Sequence, residues 1–168
     1  MSSAALVAAT PNGADWGMII AILVILVALV FLAAAEMGLS KMTKPKAAAM
    51  ADQGLKSGRA LSRLVEEPAR WVNPILLTVN VCQTVQATLT GVVAGRLFGA
   101  AGVVIGIALN VVVFYVFAEA VPKTYAVIYP EKAALLSARP VWALANFWPL
   151  QVVSRGLKVP YGFAGGGR

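Results

Sequence analysis

Residues 17–35 of the chain read GMIIAILVILVALVFLAAA, a run of 19 residues without a charged side chain. A helix needs about 20 consecutive apolar residues to cross the hydrocarbon core of a bilayer. No basic segment precedes the run, which argues against a cleaved secretory signal. Residues 17–39 are therefore predicted to form a first transmembrane helix, preceded by an extracytoplasmic tail over residues 1–15.

Two further apolar segments follow, at residues 71–96 and 100–120, with a glycine-containing turn at residues 99–101 between them. Each segment is long enough to cross a bilayer as a helix. The predicted fold class is therefore an all-α membrane protein with three transmembrane helices and cytoplasmic juxtamembrane helices.

A fourth apolar segment, residues 141–153, is shorter, because Pro140 and Pro149 leave only eight residues between them. A helix of that length cannot cross a membrane. Trp142 and Trp148 lie in this segment, and tryptophan is enriched at membrane–water interfaces. We therefore expect an amphipathic helix that lies in the interface.

The composition favours a membrane protein and excludes several kinds of chemistry. Hydrophobic residues make up 60% of the chain and charged residues 12%, against about half and a quarter in soluble domains. The chain has no histidine, which excludes imidazole metal ligands and a histidine general base. The single Cys82 cannot form an internal disulfide, and we expect a small packing residue there. No nucleophile–base pair, phosphate-binding glycine loop or CxxC pair is present, so the sequence does not predict an enzyme.

The net charge of +7 is distributed in a way that predicts an orientation in the membrane. Of the 14 basic residues, seven lie in residues 41–70 and six from Lys123 onward, whereas none precedes Met18. Loops rich in lysine and arginine stay in the cytoplasm. We therefore expect the N-terminus outside and the C-terminus inside the cell. Acidic lipid headgroups, rather than nucleic acid, are the expected partners of these charges, since no nucleic-acid-binding motif accompanies them.

The basic segment at residues 43–67 is predicted to form two short cytoplasmic helices. Pro45 suits the first turn of a helix, and the alanine-rich residues after it favour helix strongly. Gly54 is the expected C-terminal cap of this helix. A second short helix is predicted over residues 59–66.

Glu119, at the end of the third predicted span, is the leading candidate for an ion ligand. A carboxylate among apolar residues of a membrane costs about 2.5–3.5 kcal/mol even on lenient scales. Pro122 has no N–H to donate and displaces the carbonyl of Ala118, which leaves a backbone oxygen beside the carboxylate. Mg²⁺ prefers oxygen ligands of this kind. The alternative is that Glu119 lies at the interface and pairs with Lys123.

The second predicted span carries two polar stripes at helical spacing. In hydrocarbon such groups must meet water or other helices, either as ion ligands or as hydrogen bonds that join helices. The third span carries a stripe of small residues with Asn110, for which we expect close helix packing. These stripes comprise, in order, Asn73, Asn80, Thr84, Thr88 and Gly91; Gln83, Gln86 and Thr90; and Gly99, Gly102, Gly106 and Asn110.

Glu36 closes the first predicted span and also has two interpretations. Its carboxylate either lines a cytoplasmic entrance for an ion or extends to the interface beside Lys41. The sequence alone does not choose between them.

At these residues the chain resembles the transmembrane domain of the CorC/CNNM (cyclin M) magnesium transporters, haemolysin-like proteins of bacteria. The resemblance extends over residues 16–158. Three stretches carry it in order, with a shorter one before the second. They are LAAAEMGL at residues 32–39, PAR at 68–70, LLTVN at 76–80 and EAVPK at 119–123.

The resemblance implies a homodimeric plasma-membrane domain that binds dehydrated Mg²⁺ and exports it against Na⁺ entry. By position, Glu119 would supply the carboxylate, with Asn80 and Thr84 as further oxygen ligands. Glu36 and Thr78 are secondary candidates. The family continues into paired CBS domains that bind ATP, which this chain does not contain. The glycine-rich residues 159–168 are expected to be a linker or a truncated end.

Two positions depart from the family pattern. Ala33 stands where the family commonly has a serine ligand, which leaves a backbone carbonyl as the available oxygen. Val79 stands where a glycine often precedes Asn80. Ala33 favours one alternative to a transporter, a non-transporting regulator or scaffold that has lost the ion site. Another alternative is a helical anchor for a soluble domain, in which Glu119 and Asn80 would face lipid headgroups rather than each other.

Overall fold

The structure, a computed structural model, describes residues 10–147. Within them it is all-helical, which confirms the predicted class at that level. The elements are α1 (Gly13–Ser40), α2 (Lys44–Asp52), α3 (Gly58–Glu66), α4 (Ala69–Val113), a π segment (Phe114–Ala120), α5 (Val121–Ile128) and α6 (Pro130–Ala145). Trp148, the tail at residues 159–168 and most of the predicted N-terminal tail lie outside the described residues.

Helix α1 begins four residues before the predicted span because a capping box starts it. The backbone N–H of Asp15 donates to Asn12 Oδ1 at 3.0 Å, and the N–H of Asn12 donates to Asp15 Oδ2 at 2.9 Å. This reciprocal pair satisfies two amides that a helix start otherwise leaves free. The Pro-Asn-Gly stretch before Asp15 suggested an unstructured start, so residues 13–15 of the predicted tail are helical instead.

Within residues 10–147, two continuous helical stretches are long and apolar enough to cross a membrane, Gly13–Ser40 and Ala69–Ile128. The second has 60 residues, which would extend about 90 Å if straight. Only 6% of its most apolar stretch is buried in the protein. Its apolar side chains therefore face outward rather than into a core.

The long stretch folds back at Gly99, whose φ of 68° and ψ of −162° are not helical. Gln86 Nε2 donates to Asn110 Oδ1 at 2.6 Å, although 24 residues separate them. A Cβ on Gly106 would lie 2.7 Å from the Cβ of Ala94. The two arms of α4, residues 69–98 and 100–113, therefore lie side by side. This confirms the predicted turn and the close packing at the small-residue stripe.

The second arm does not end at Ala120 as predicted but continues through the π segment and α5 to Ile128. Pro122 falls in the first turn of α5, where a missing N–H costs little. The proline therefore changes the hydrogen-bond register without ending the helix.

Helices α2 and α3 confirm the two short helices predicted in the basic segment. Gly54 has a φ of 70°, and its N–H donates to Ala51 O at 3.1 Å. The N–H of Leu55 donates to Met50 O at 3.3 Å. This pair of bonds is the Schellman motif that ends a helix at a left-handed glycine.

Helix α6 corrects the prediction for the segment at residues 141–153. The helix begins at Pro130, runs through Pro140 and ends at Ala145. A proline inside a helix costs one hydrogen bond, yet α6 continues through Pro140, and Ala138 and Val141 on either side of it are buried in the core. A Cβ on Gly38 of α1 would lie only 2.8 Å from the Cβ of Ala133.

The buried core lies where α2, α3 and α6 meet the end of α1 and the start of α4. It includes Leu39, Leu61, Leu64 and Ile75, each at most 2% exposed. Trp71 lies in the same core, and its Nε1 donates to Leu64 O at 3.0 Å. This core holds one end of the apolar helices together.

Candidate ion site

A cavity of about 30 Å³ lies between α1, the first arm of α4, the π segment and α5. That volume holds roughly one water molecule or one small ion. Four of the predicted site residues line it, Ala33 and Glu36 on α1 and Ala118 and Glu119 on the π segment. The lining residues are Leu29, Ala33, Glu36, Val79, Gln83, Phe114, Ala118, Glu119 and Lys123.

Two carboxylates from different helices converge on one ammonium group in this cavity. Lys123 Nζ lies 3.0 Å from Glu119 Oε1 and 3.8 Å from Glu36 Oε2. The three side chains are between 29% and 39% exposed, so the protein encloses them only in part. The Glu119–Lys123 pair that was one interpretation of the sequence is present. Glu36, a secondary candidate from the sequence, joins it, with Lys123 rather than the expected Lys41 as its basic neighbour.

The π segment determines how Glu119 enters the cavity. The N–H of Val121 donates to Val116 O, five residues back. In the same register, the carbonyl of Phe117 would need the N–H of residue 122, which is Pro122 and has none. In the π register, the carbonyl left without a donor is therefore that of Phe117. An α-helical register, which was expected from the sequence, would instead leave the carbonyl of Ala118 without a donor. Single π turns inside α-helices are frequent at functional sites.

The other predicted ligands lie outside the cavity lining. Asn80 and Thr84 are exposed, and Thr84 Oγ1 donates to Asn80 O at 2.9 Å. Thr78 Oγ1 donates to Pro74 O at 2.8 Å. Their role as ligands stays a prediction.

Gln83 lines the cavity and was not named as a ligand from the sequence. The available signal was its place on the second polar stripe, about a quarter turn from Asn80. The partner stripe residue Gln86 instead bonds to Asn110 between the arms, as expected for polar groups that join helices. The second polar stripe therefore contributes Gln83 to the cavity wall and Gln86 to the contact between the two arms.

The oxygen donors at the cavity are the carboxylates of Glu36 and Glu119, the amide of Gln83 and nearby backbone carbonyls. Across residues 10–147, no group of three or more histidine, cysteine or acidic side chains is placed to hold a metal ion. A hard cation at this cavity would therefore need neutral oxygens and water beside the two carboxylates.

Outward-facing apolar helices around a small charged cavity define an integral membrane domain with a candidate ion site. Residues 19–156 match the family model described as the cyclin M transmembrane N-terminal domain. The chain belongs to this CorC/CNNM family, which confirms the resemblance seen in the sequence.

Two curated relatives extend the comparison. The chain is 31% identical to the UPF0053 inner membrane protein YfjD of Escherichia coli K12 over 130 residues, which cover 74% of this chain and 30% of that protein. It is 30% identical to a UPF0053 protein of Haemophilus influenzae over 132 residues, 78% of this chain and 31% of that protein. The chain thus spans under a third of the length of these relatives.

Proposed function

We propose that this domain carries a divalent cation, Mg²⁺, across a bacterial plasma membrane. The observation that supports the proposal most directly is the convergence of Glu36 and Glu119 on one cavity beside a π segment. Export coupled to Na⁺ entry is the direction that family membership suggests. ATP is assigned to CBS domains outside this chain.

In this proposal α1 and the two arms cross the membrane three times, with the N-terminus outside. The reversal at Gly99 supports the antiparallel arrangement of the arms. Asp15 Oδ1 lies 3.2 Å from Arg96 Nε, so the start of α1 and the tip of the hairpin are at the same end. The basic residues of α2 and α3 then lie on the cytoplasmic side, in agreement with the charge rule.

Lys123 acts in this proposal as a tethered cation that Mg²⁺ must displace. Its ammonium group lies between the two carboxylates and neutralises part of their charge. A divalent cation that enters between Glu36 and Glu119 repels the ammonium toward the open side of the cavity. The lysine then returns when the ion leaves, so the empty site never holds two unpaired carboxylates.

Asn80 and Thr84 join the ion only if the first arm turns. Val79 lines the cavity now, and one residue step along a helix is a rotation of about 100°. Such a turn moves the methyl groups of Val79 out and the amide of Asn80 in. This motion is a means of alternating access at a fixed site.

The test is Mg²⁺ flux into proteoliposomes that contain the purified protein and an entrapped Mg²⁺ dye. Glu119→Gln should abolish flux, because a neutral amide cannot replace the carboxylate charge. Glu66→Gln is the matched control, since Glu66 is exposed on α3 and contacts only Ser62 at 3.4 Å. Flux that is equal in the two variants would remove Glu119 from the ion path.

A regulator or scaffold without transport is the second candidate. Ala33 lines the cavity with a methyl group where the family commonly has a hydroxyl, and this observation favours it. If the protein is a regulator or scaffold, we expect no Mg²⁺ flux from the wild-type protein and no change of its melting temperature with Mg²⁺. Stabilisation by Mg²⁺ without flux would instead indicate that the site binds but needs the remaining part of a longer protein to transport.

A further inference from the structure

A second and larger pocket, of about 680 Å³, lies at the cytoplasmic end of the proposed topology, away from the ion site. It is formed by the α2–α3 connection, the start of α3 and the last turns of α6. Its size lies within the range of small-molecule sites, about 300–1,000 Å³. The lining residues are Ala51, Gly54, Leu55, Lys56, Ser57, Arg59, Ala60, Arg63, Arg139 and Trp142.

The pocket carries four positive charges and no negative one. All seven acidic residues of the chain fall within residues 10–147, and none of them lines the pocket. The ion pairs in the described part of the chain engage other cations, namely Lys46, Arg70, Arg96 and Lys123. The four pocket cations therefore lack a carboxylate partner among these residues.

Two of the four cations are placed where they repel each other. Arg59 and Arg63 are four residues apart on α3, and like charges at that spacing destabilise a helix by a few tenths of a kcal/mol. Arg139 approaches from α6, across the pocket. Three guanidinium groups from two helices around one cavity form a fork-shaped donor set that matches phosphate oxygens.

The start of α3 adds neutral donors to the same wall. Ser57 precedes the helix with a φ of 75°, and its hydroxyl makes no capping bond. The backbone N–H groups of Arg59 and Ala60 have no acceptor in the described part of the protein. Free amides at a helix N-terminus favour an anion there.

The remaining wall is apolar. Trp142 is 39% exposed and Leu55 42% exposed, and both line the pocket. A ligand with a phosphate group and a less polar body would satisfy both parts of this surface.

We propose that this pocket binds a phosphate-bearing anion, with Arg59, Arg63 and Arg139 on its phosphate oxygens and Trp142 against the rest of the molecule. The phosphate belongs either to a lipid headgroup at the membrane surface or to a soluble compound such as a diphosphate. This site does not depend on the proposed ion transport, because the pocket shares no lining residue with the ion cavity.

The experiment measures ligand binding to the full protein in detergent by its melting temperature and by calorimetry. One arm uses short-chain phosphatidylglycerol, with short-chain phosphatidylcholine as the neutral-headgroup comparison, and the other uses inorganic diphosphate. The variant replaces Arg59, Arg63 and Arg139 with glutamine. The matched control removes the same charge outside the pocket, by Lys41→Gln, Lys44→Gln and Lys132→Gln.

Saturable binding that weakens about tenfold or more in the pocket variant, but not in the control, supports the site. Preference for phosphatidylglycerol assigns the phosphate to lipid, and equal binding of diphosphate assigns it to a soluble anion. An equal loss of affinity in both variants would show that binding depends on net charge alone and would overturn the proposal. The absence of binding to the wild-type protein would also overturn it. If the glutamine variant does not fold, Arg59→Lys with Arg63→Lys keeps the charge, and unchanged affinity there also overturns it.

Discussion

At the scale of single residues, Lys123 is the side chain whose placement says most about the candidate ion site. It contacts Glu119 on its own helical stretch and Glu36 on α1, which are 83 residues apart in sequence. An ion pair within one helix would be an ordinary surface feature worth under about 1 kcal/mol. The second carboxylate makes the lysine a bridge between helices at the mouth of a cavity.

We expect Lys123→Gln to lower the stability of the ion-free protein and to strengthen its response to Mg²⁺. Without the ammonium group, two carboxylates face each other unpaired, at a cost of about 1 kcal/mol or roughly 2–4 °C in melting temperature. A divalent cation then binds without a competitor. The measurement is the melting temperature against Mg²⁺ concentration. Lys132→Gln on the exposed side of α6 is the control, and equal Mg²⁺ responses in both variants would contradict the displacement proposal.

Gly38 is the second residue for which we predict an effect, because its lack of a side chain lets α1 and α6 pack closely. We expect Gly38→Ala to destabilise the protein by about 1–3 kcal/mol, because the new Cβ would lie 2.8 Å from that of Ala133. Gly17→Ala, also on α1, has nothing within 4 Å of its new Cβ and should be neutral or slightly stabilising. Thermal unfolding of both variants in the same detergent compares them. A Gly38→Ala protein as stable as the Gly17→Ala protein would mean that α1 and α6 can separate at no cost.

At the scale of elements, the hairpin of α4 is joined by one polar contact between its arms. Gln86 is 3% exposed and bonds to Asn110 and to Thr90. In an apolar environment an amide side chain without a partner is costly, so each residue depends on the other.

We expect Gln86→Leu and Asn110→Leu each to destabilise the protein by about 1 kcal/mol. The double variant should lose less than the sum, because replacing both partners by apolar groups leaves no unpaired amide. The free energy of unfolding of the four proteins forms a double-mutant cycle. Strict additivity would show that the 2.6 Å contact contributes nothing to holding the arms together.

The π segment is the element that links the fold to the site. Its five-residue register ends where Pro122 supplies no N–H, and the helix then resumes as α5. A straight α-helix through the same residues would turn Glu119 by a different angle relative to α1. The irregular turn thus sets the direction from which Glu119 and its i+4 neighbour Lys123 face α1.

At the scale of the whole molecule, an unpartnered polar face on the first arm remains. Asn73, Asn80, Thr84 and Thr88 are all exposed, although they lie on a helix whose other faces are largely apolar. Polar side chains on a membrane helix are expected to meet another helix or water. A homodimer that covers this face stays our prediction.

We expect Thr88→Leu to weaken that dimer, because the change puts a bulkier apolar side chain on the polar face at a position that is not a proposed ligand. Val104→Leu, on an outward apolar surface of the second arm, is the control and should leave association unchanged. Light scattering of the purified proteins in detergent reports the oligomeric state. A monomeric wild-type protein, or a Thr88→Leu dimer of unaltered affinity, would contradict this arrangement.

The features that depend on local chemistry can be predicted from neighbouring residues. A charge-free run of membrane length, a left-handed glycine at Gly54 and the turn at Gly99 are each encoded by neighbouring residues. Glu119 was also evident, because a carboxylate among apolar residues is rare whatever the fold. These features can be predicted because the groups that determine them lie within one or two helical turns of each other in the sequence.

Which of these groups come into contact is a property of the folded protein. The approach of Glu36 to Lys123, the place of Gln83 in the cavity and the continuation of α6 through Pro140 depend on how helices pack. Nothing in a local pattern fixes the rotation of one helix about its axis relative to another. That rotation is set by contacts between distant residues, such as Gly38 against Ala133, and it decides which side chains share a cavity.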